Sequence, residues 1–83
     1  MILEGTLTHL GFEKQTETAE NSGYGKDWYY YTLDIGDVCL ITQPNDEAEN
    51  GWVVEIFDNS KIKFTDPNEL MILIGCLNRN LQL

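Results

Sequence analysis

Apolar residues recur along this chain in two rhythms, and the rhythm changes where the elements change. Leu3, Leu7 and Leu10 fall at i, i+4 and i+7, one stripe of a helix. Gly11 follows where a helix C′ glycine belongs, and Phe12 is placed to fold back onto the last turn. Gly5, Thr6 and Thr8 are poor helix formers that suit a strand, so this segment reads as a short helix with a strand as the alternative. Phe12 to Thr18 reads as a polar edge strand, and Ala19 to Lys26 (AENSGYGK) as a loop with two glycines and Asn-Ser turn chemistry. The next segment, DWYYYTLDI, carries the strongest strand signal in the chain. A tight turn at Asp34-Ile35-Gly36-Asp37 returns it as VCLIT, the second arm of a hairpin. QPNDEAENG is then a connection of nine residues leading to the strand WVVEIF. Asp58-Asn59-Ser60 reads as a turn whose Asn tolerates a left-handed conformation. KIKF alternates, with Ile62 and Phe64 inward and Lys61 and Lys63 outward.

The chain closes on a well-marked helix. Asp66 is the N-cap, Pro67 takes the first helical position and Glu69 stands where a capping box needs it. Leu70, Leu73, Ile74 and Leu77 form the inward stripe, and Arg79 favours the negative end of the helix dipole. The expected fold is a single α+β domain over residues 1–83. It is an antiparallel four- to five-stranded meander with a short N-terminal helix and a C-terminal helix packed on it.

Strand alternation assigns the aromatic run to two faces. Tyr29, Tyr31, Leu33 and Ile35 share one, and Trp28, Tyr30, Thr32 and Asp34 the other. Likewise Trp52, Val54 and Ile56 oppose Val53, Glu55 and Phe57. Both faces therefore carry large apolar groups, which a sheet with one wet face avoids. Either the two helices cover opposite faces, or both cover one and Trp28, Tyr30, Val53 and Phe57 meet a partner. Met71, Ile72 and Cys76 lie off the main stripe of the last helix and give the same hint.

Charge changes the picture most. Fourteen acidic residues stand against five basic ones, a net −9. From Asp27 to Ser60 there is no Lys or Arg, while Asp27, Asp34, Asp37, Asp46, Glu47, Glu49, Glu55 and Asp58 occur. Such a field repels nucleic acid and anionic membranes and attracts basic surfaces, so direct DNA or RNA binding is not expected. No run of eighteen apolar residues is present, and the N-terminus has no basic n-region, so neither a membrane span nor a secretory signal is expected. Cys39 and Cys76 each lie in an apolar segment and read as reduced, buried thiols of a cytoplasmic protein, with a Cys39–Cys76 bridge as the alternative.

The residues for catalysis do not fall into a known arrangement. A nucleophilic site would have to pair His9 with Ser22, Ser60, Cys39 or Cys76, none of them in a recognisable signature. The acidic loop does not fit a calcium-binding loop: counting from Asn45, the sixth position is Asn50 rather than glycine and the twelfth is Ile56 rather than Glu. SGYGK lacks the spacing of a phosphate loop. A non-catalytic protein without metal or cofactor is the expectation.

LGFEK, WYYYTLDIGDVCLI, WVVEIFD and IKFTDPNEL together resemble a set of short acidic proteins, with no assigned activity, encoded by bacteriophages and mobile elements. The matching residues are strand, turn and cap positions, so the resemblance transfers no site residue. It implies a context in which a small phage protein acts in the host cytoplasm by binding and blocking a host protein. The leading expectation is an inhibitor, an anti-defence or DNA-mimic protein whose carboxylates occupy a basic, nucleic-acid-binding surface of a host defence or DNA-processing protein. Its partner-binding residues are expected to be Asp34, Asp37, Asp46, Glu47, Glu49, Glu55 and Asp58, with Trp28 and Tyr30 as anchors. The alternatives are an immunity- or antitoxin-like protein neutralising a cognate toxin, and an oligomeric accessory protein whose second apolar face is hidden in a homodimer.

Overall fold

Five strands pair in chain order, every neighbour antiparallel: β1 Glu13–Glu17, β2 Trp28–Ile35, β3 Val38–Thr42, β4 Val54–Ile56 and β5 Asn59–Phe64. Helix α1 (Glu4–His9) precedes them, α2 (Ala19–Ser22) links β1 to β2, and α3 (Pro67–Arg79) follows β5. The computed structural model describes residues 1–23 and 25–80, without the side chains of Asn21, Ser22 and Ser60.

The N-terminal segment is a helix. Burial decides it against local propensity, because Leu7 is fully buried and Phe12 nearly so. The helix ends in the arrangement glycine makes cheap: Gly11 has φ +97°, its N–H donates to the Thr8 carbonyl (3.1 Å), and the Phe12 N–H donates to the Leu7 carbonyl (3.0 Å). At the other end of the chain, the Asp66 carboxylate accepts from the Asn68 N–H (3.0 Å), and Pro67 opens α3. Leu70 and Ile74 are buried there, with Leu73 and Leu77 half-buried beside them.

Three local expectations are corrected. AENSGYGK is not all loop: Ala19–Ser22 makes one helical turn, and the Ala19 N–H donates to the Asp27 carboxylate across the connection (2.7 Å). Strand WVVEIF shortens to Val54–Ile56, because Trp52 leaves the meander to bridge Ile2, donating its N–H to the Ile2 carbonyl (2.9 Å). The turn expected at Asp58-Asn59-Ser60 falls one residue earlier, on Phe57 and Asp58, and Asn59 already belongs to β5. Among the described residues every positive φ belongs to glycine, so Asn59 takes no left-handed conformation.

Both helices cover the same face. Leu7 of α1 and Leu70 and Ile74 of α3 form one buried cluster with Ile2, Phe12, Tyr31, Ile35, Leu40, Trp52 and Val54. Trp28, Tyr30 and Ile41 stand outside that cluster, on the opposite side of the sheet.

Candidate functional site

The uncovered face is built by register. Glu13 stands opposite Thr32, Gln15 opposite Tyr30 and Glu17 opposite Trp28, and on the other side of β2, Thr32 faces Ile41 and Asp34 faces Cys39. Ile41 in turn faces Glu55, and Glu55 faces Lys63. The result is an apolar centre of Trp28, Tyr30 and Ile41 rimmed by carboxylates. The rings of Trp28 and Tyr30 lie 5.5 Å apart, tilted by 31°, as same-face neighbours two residues apart on a strand allow.

At the end of the sheet where β2 begins, the acidic connection folds into a defined shape. β3 stops pairing at Thr42, and Pro44 brings no N–H to continue the ladder. Side chains take over: the Tyr31 N–H donates to Thr42 Oγ1 (3.0 Å), and the Tyr29 N–H donates to Asn45 Oδ1 (2.8 Å). Asn45–Glu47 then forms a 3-10 turn pinned against β2. Gln43 closes the loop from inside, its Oε1 accepting from the Val53 N–H (2.8 Å) and its Nε2 donating to the Glu47 and Gly51 carbonyls. Gly51 has φ +107°, and a Cβ there would meet the Met1 Cβ at 2.9 Å, so glycine is required. The connection holds Asp46 and Glu47 over a cavity of about 370 Å³ that Lys26, Trp28 and Pro44 also line. A shallower depression of about 320 Å³, lined by Trp28, Tyr30, Ile41, Thr42 and Pro44, adjoins it.

The acids expected to act together fall into separate groups. Asp34, Asp37 and Asp58 cluster about the β2–β3 and β4–β5 turns, whereas Asp46, Glu47 and Glu49 occupy the opposite end. Five residues of β3 separate the groups, about 17 Å at the strand rise of ~3.4 Å per residue, which exceeds a Debye length of ~8 Å at physiological salt. Each group therefore acts as its own patch. Glu55 lies between them, half-buried, with its Oε1 3.7 Å from the Lys63 ammonium. Lys26 reaches Asp46 at 4.0 Å. The stretch without Lys or Arg is thus not a field without cations, because strand pairing and loop packing return lysines from just outside it.

Phe57, expected as a partner-facing group, is exposed in the β4–β5 turn, its N–H donating to the Cys39 carbonyl (2.9 Å). Trp28 and Tyr30 are half-buried on the open face, and Val53 is half-buried as well. Met71, Ile72 and Cys76 project from the outer side of α3 and are exposed. Cys76 is therefore not the buried thiol expected of it, because the helix turns that side away from the sheet; both cysteines are free. Burial pushes the Cys39 thiol up, and a hydrogen bond to Asp34 with the charges of Asp34 and Asp58 adds to the effect, so the thiolate is disfavoured. His9 is exposed on α1, on the other side of the sheet from Cys39. The side chains of Ser22 and Ser60 lie outside the described residues. Among the described residues no three His, Cys, Asp or Glu converge to hold a metal ion, and no helix is long and apolar enough to cross a membrane.

Several further residues take part in these two faces. Glu13 and Glu17 belong to the open face through their β1 register, which only pairing reveals. Gln43 and Asn45 shape the acidic loop, and a polar residue flanking a proline after a strand was the available signal. Glu4 organises the covered face: its carboxylate accepts from the Tyr31 hydroxyl (2.6 Å) and the Tyr29 hydroxyl (3.2 Å). Burial, then the hydrogen bond and charge of Glu4, push the Tyr31 phenol up to about 12, and Tyr29 shifts the same way. The Lys14 ammonium lies 4.0 Å from the centre of the Tyr29 ring. Comparison with known proteins gives no relative to set beside this geometry: no family model, no curated protein and no solved structure matches the chain.

Proposed function

We propose that this is a small non-catalytic binding protein that docks its open, carboxylate-rimmed sheet face on a basic surface of a protein partner. In that role it acts as an inhibitor of a nucleic-acid-handling protein. One observation carries the reading: both helices cover one face of the sheet, leaving the Trp28–Tyr30 pair and Ile41 on the other among Glu13, Glu17, Asp34 and Glu55. Aromatic groups supply contact area at low entropic cost, and the surrounding carboxylates steer a basic partner and select against acidic ones. The net charge of −9 adds long-range attraction to the same partner.

The test is affinity capture from host extract, read at low and at high salt, with wild type beside a Glu13→Gln/Glu17→Gln/Asp34→Asn triple variant of the rim. The expected result is a strongly basic protein retained at low salt, released as salt shrinks the Debye length from about 10 Å to about 3 Å, and lost from the variant. A partner held equally at both salts and by both proteins overturns the reading.

A further inference from the structure

We propose that the cavity beside Trp28 seats an arginine side chain of the partner, with the guanidinium stacked on the indole and paired to Asp46 and Glu47. The inference rests on the basic-surface reading above and gives it a chemical anchor. The cavity of about 370 Å³ has an aromatic wall, Trp28, a proline, Pro44, and the carboxylate-bearing residues Asp46 and Glu47 among its lining. It continues into the apolar depression beside Tyr30 and Ile41, which also has Trp28 and Pro44 in its wall. A long side chain with an apolar stem and a cationic end matches that sequence of surfaces.

The site already holds a cation of this chain's own. The Lys26 ammonium lies 4.0 Å from Asp46, and both side chains are more than half exposed, so the pair is weak and exchangeable. In the proposed complex the incoming base takes the place of Lys26 beside Asp46. Arginine displaces it better than lysine does, because a guanidinium is planar, less strongly hydrated, stacks on an indole face and binds a carboxylate with two parallel hydrogen bonds. The loop carrying the carboxylates is shaped in advance by Asn45 on the Tyr29 N–H and by Gln43 on the Val53 N–H, which lowers the ordering cost of binding.

The experiment titrates oligo-arginine and oligo-lysine peptides of equal length into the protein at low salt, by calorimetry and by the tryptophan indole N–H resonances. Oligo-arginine is expected to bind about three- to tenfold more tightly, the range that stacking and bidentate pairing supply. The Trp28 indole signal should shift while that of the buried Trp52 stays. Trp28→Leu should abolish the preference and Trp28→Phe should keep part of it. A thermal melt of each variant checks folding, and if Trp28→Leu fails to fold, Asp46→Asn/Glu47→Gln takes its place. Lys26→Gln should tighten oligo-arginine binding more than Lys63→Gln, a control of equal charge change on the far side of the same face. Equal affinity for the two peptides, a preference that survives in Trp28→Leu or in Asp46→Asn/Glu47→Gln, or equal effects of the two lysine variants overturns the arginine seat while leaving the basic-surface reading standing. Failure of both peptides to bind wild type at low salt overturns the reading beneath it.

Discussion

The two faces of this sheet have nearly the same ingredients and opposite fates. On β2, Tyr29 and Tyr31 point to one side and Trp28 and Tyr30 to the other. The first pair is closed over by α1 and α3 against Trp52, with ring centroids at 6.2 Å and 5.3 Å, and its hydroxyls end on the Glu4 carboxylate. The second pair stands outside the cluster that α1 and α3 close over and is bordered by glutamates of β1. The lesson is that an aromatic residue does not declare its role by type or by alternation. What lies over it decides, and here both covering elements chose one side.

Neighbouring residues of β3 show the largest difference between the two faces. Leu40, fully buried on the covered face, should lose about 2–5 kcal/mol on substitution by Ala, from lost transfer energy and the cavity left behind. Ile41→Ala, one residue on and facing the open side, should lose about 1 kcal/mol or less by the same urea titration, since its side chain is only half-buried. Equal losses would show that the second face is sealed, by a second copy or otherwise, and that the contrast is false.

The Glu4 cluster sharpens it next. Glu4→Ala strips the Tyr31 hydroxyl of its shortest acceptor inside the covered layer and should cost about 1–3 kcal/mol, while Tyr30→Phe on the open face should cost less. The same cluster sets a pH dependence. Tyr31 titrates at about 12 in the folded chain against 10.0 when unfolded, so the folded state holds the proton more tightly. Stability is therefore level below pH 10 with respect to this group and falls as pH rises from about 10 towards about 12. Absorbance of tyrosinate followed against pH should show the late titration in wild type. In Glu4→Gln it should move back towards 10, the ordinary value. An unmoved curve would remove Glu4 as a cause.

Smaller effects close the series. Asp66→Ala should cost about 1 kcal/mol by removing the cap that accepts from Asn68, and the loss should be confined to α3 in hydrogen exchange. Lys63→Gln, which breaks the 3.7 Å pair of an exposed ammonium with half-buried Glu55 on the open face, should change stability by less than about 0.5 kcal/mol. A larger loss would mean that the open face contributes more to the fold than its exposure suggests.

Much of the architecture was legible in the chain because its signals are local. Gly11 after the Leu3-Leu7-Leu10 stripe marked the helix end, and the bonds from Gly11 and Phe12 back to Thr8 and Leu7 realise it. Asp66 and Pro67 marked α3, and the two-residue turns joining β2 to β3 and β4 to β5 leave those pairs no arrangement but antiparallel hairpins. The site was less legible. Seven acids of the stretch without a basic residue were expected to bind one partner, yet a strand's length parts Asp34, Asp37 and Asp58 from Asp46, Glu47 and Glu49. Glu13 and Glu17, outside that stretch, arrive beside the aromatic pair through pairing with β2. Lys26 and Lys63, also outside it, arrive beside Asp46 and Glu55.

By itself, then, the sequence determined which residues share a side of each strand, how the C-terminal helix is capped, and the sign of the charge. These depend on backbone geometry and on neighbours a few residues away. Tertiary structure alone decided that both helices lie on the same face, that Gln43 and Asn45 hold the acidic loop against β2, and that a cavity opens beside Trp28. The physical reason is that periodicity fixes the direction of a side chain, whereas burial needs a second element from far along the chain to arrive on top of it.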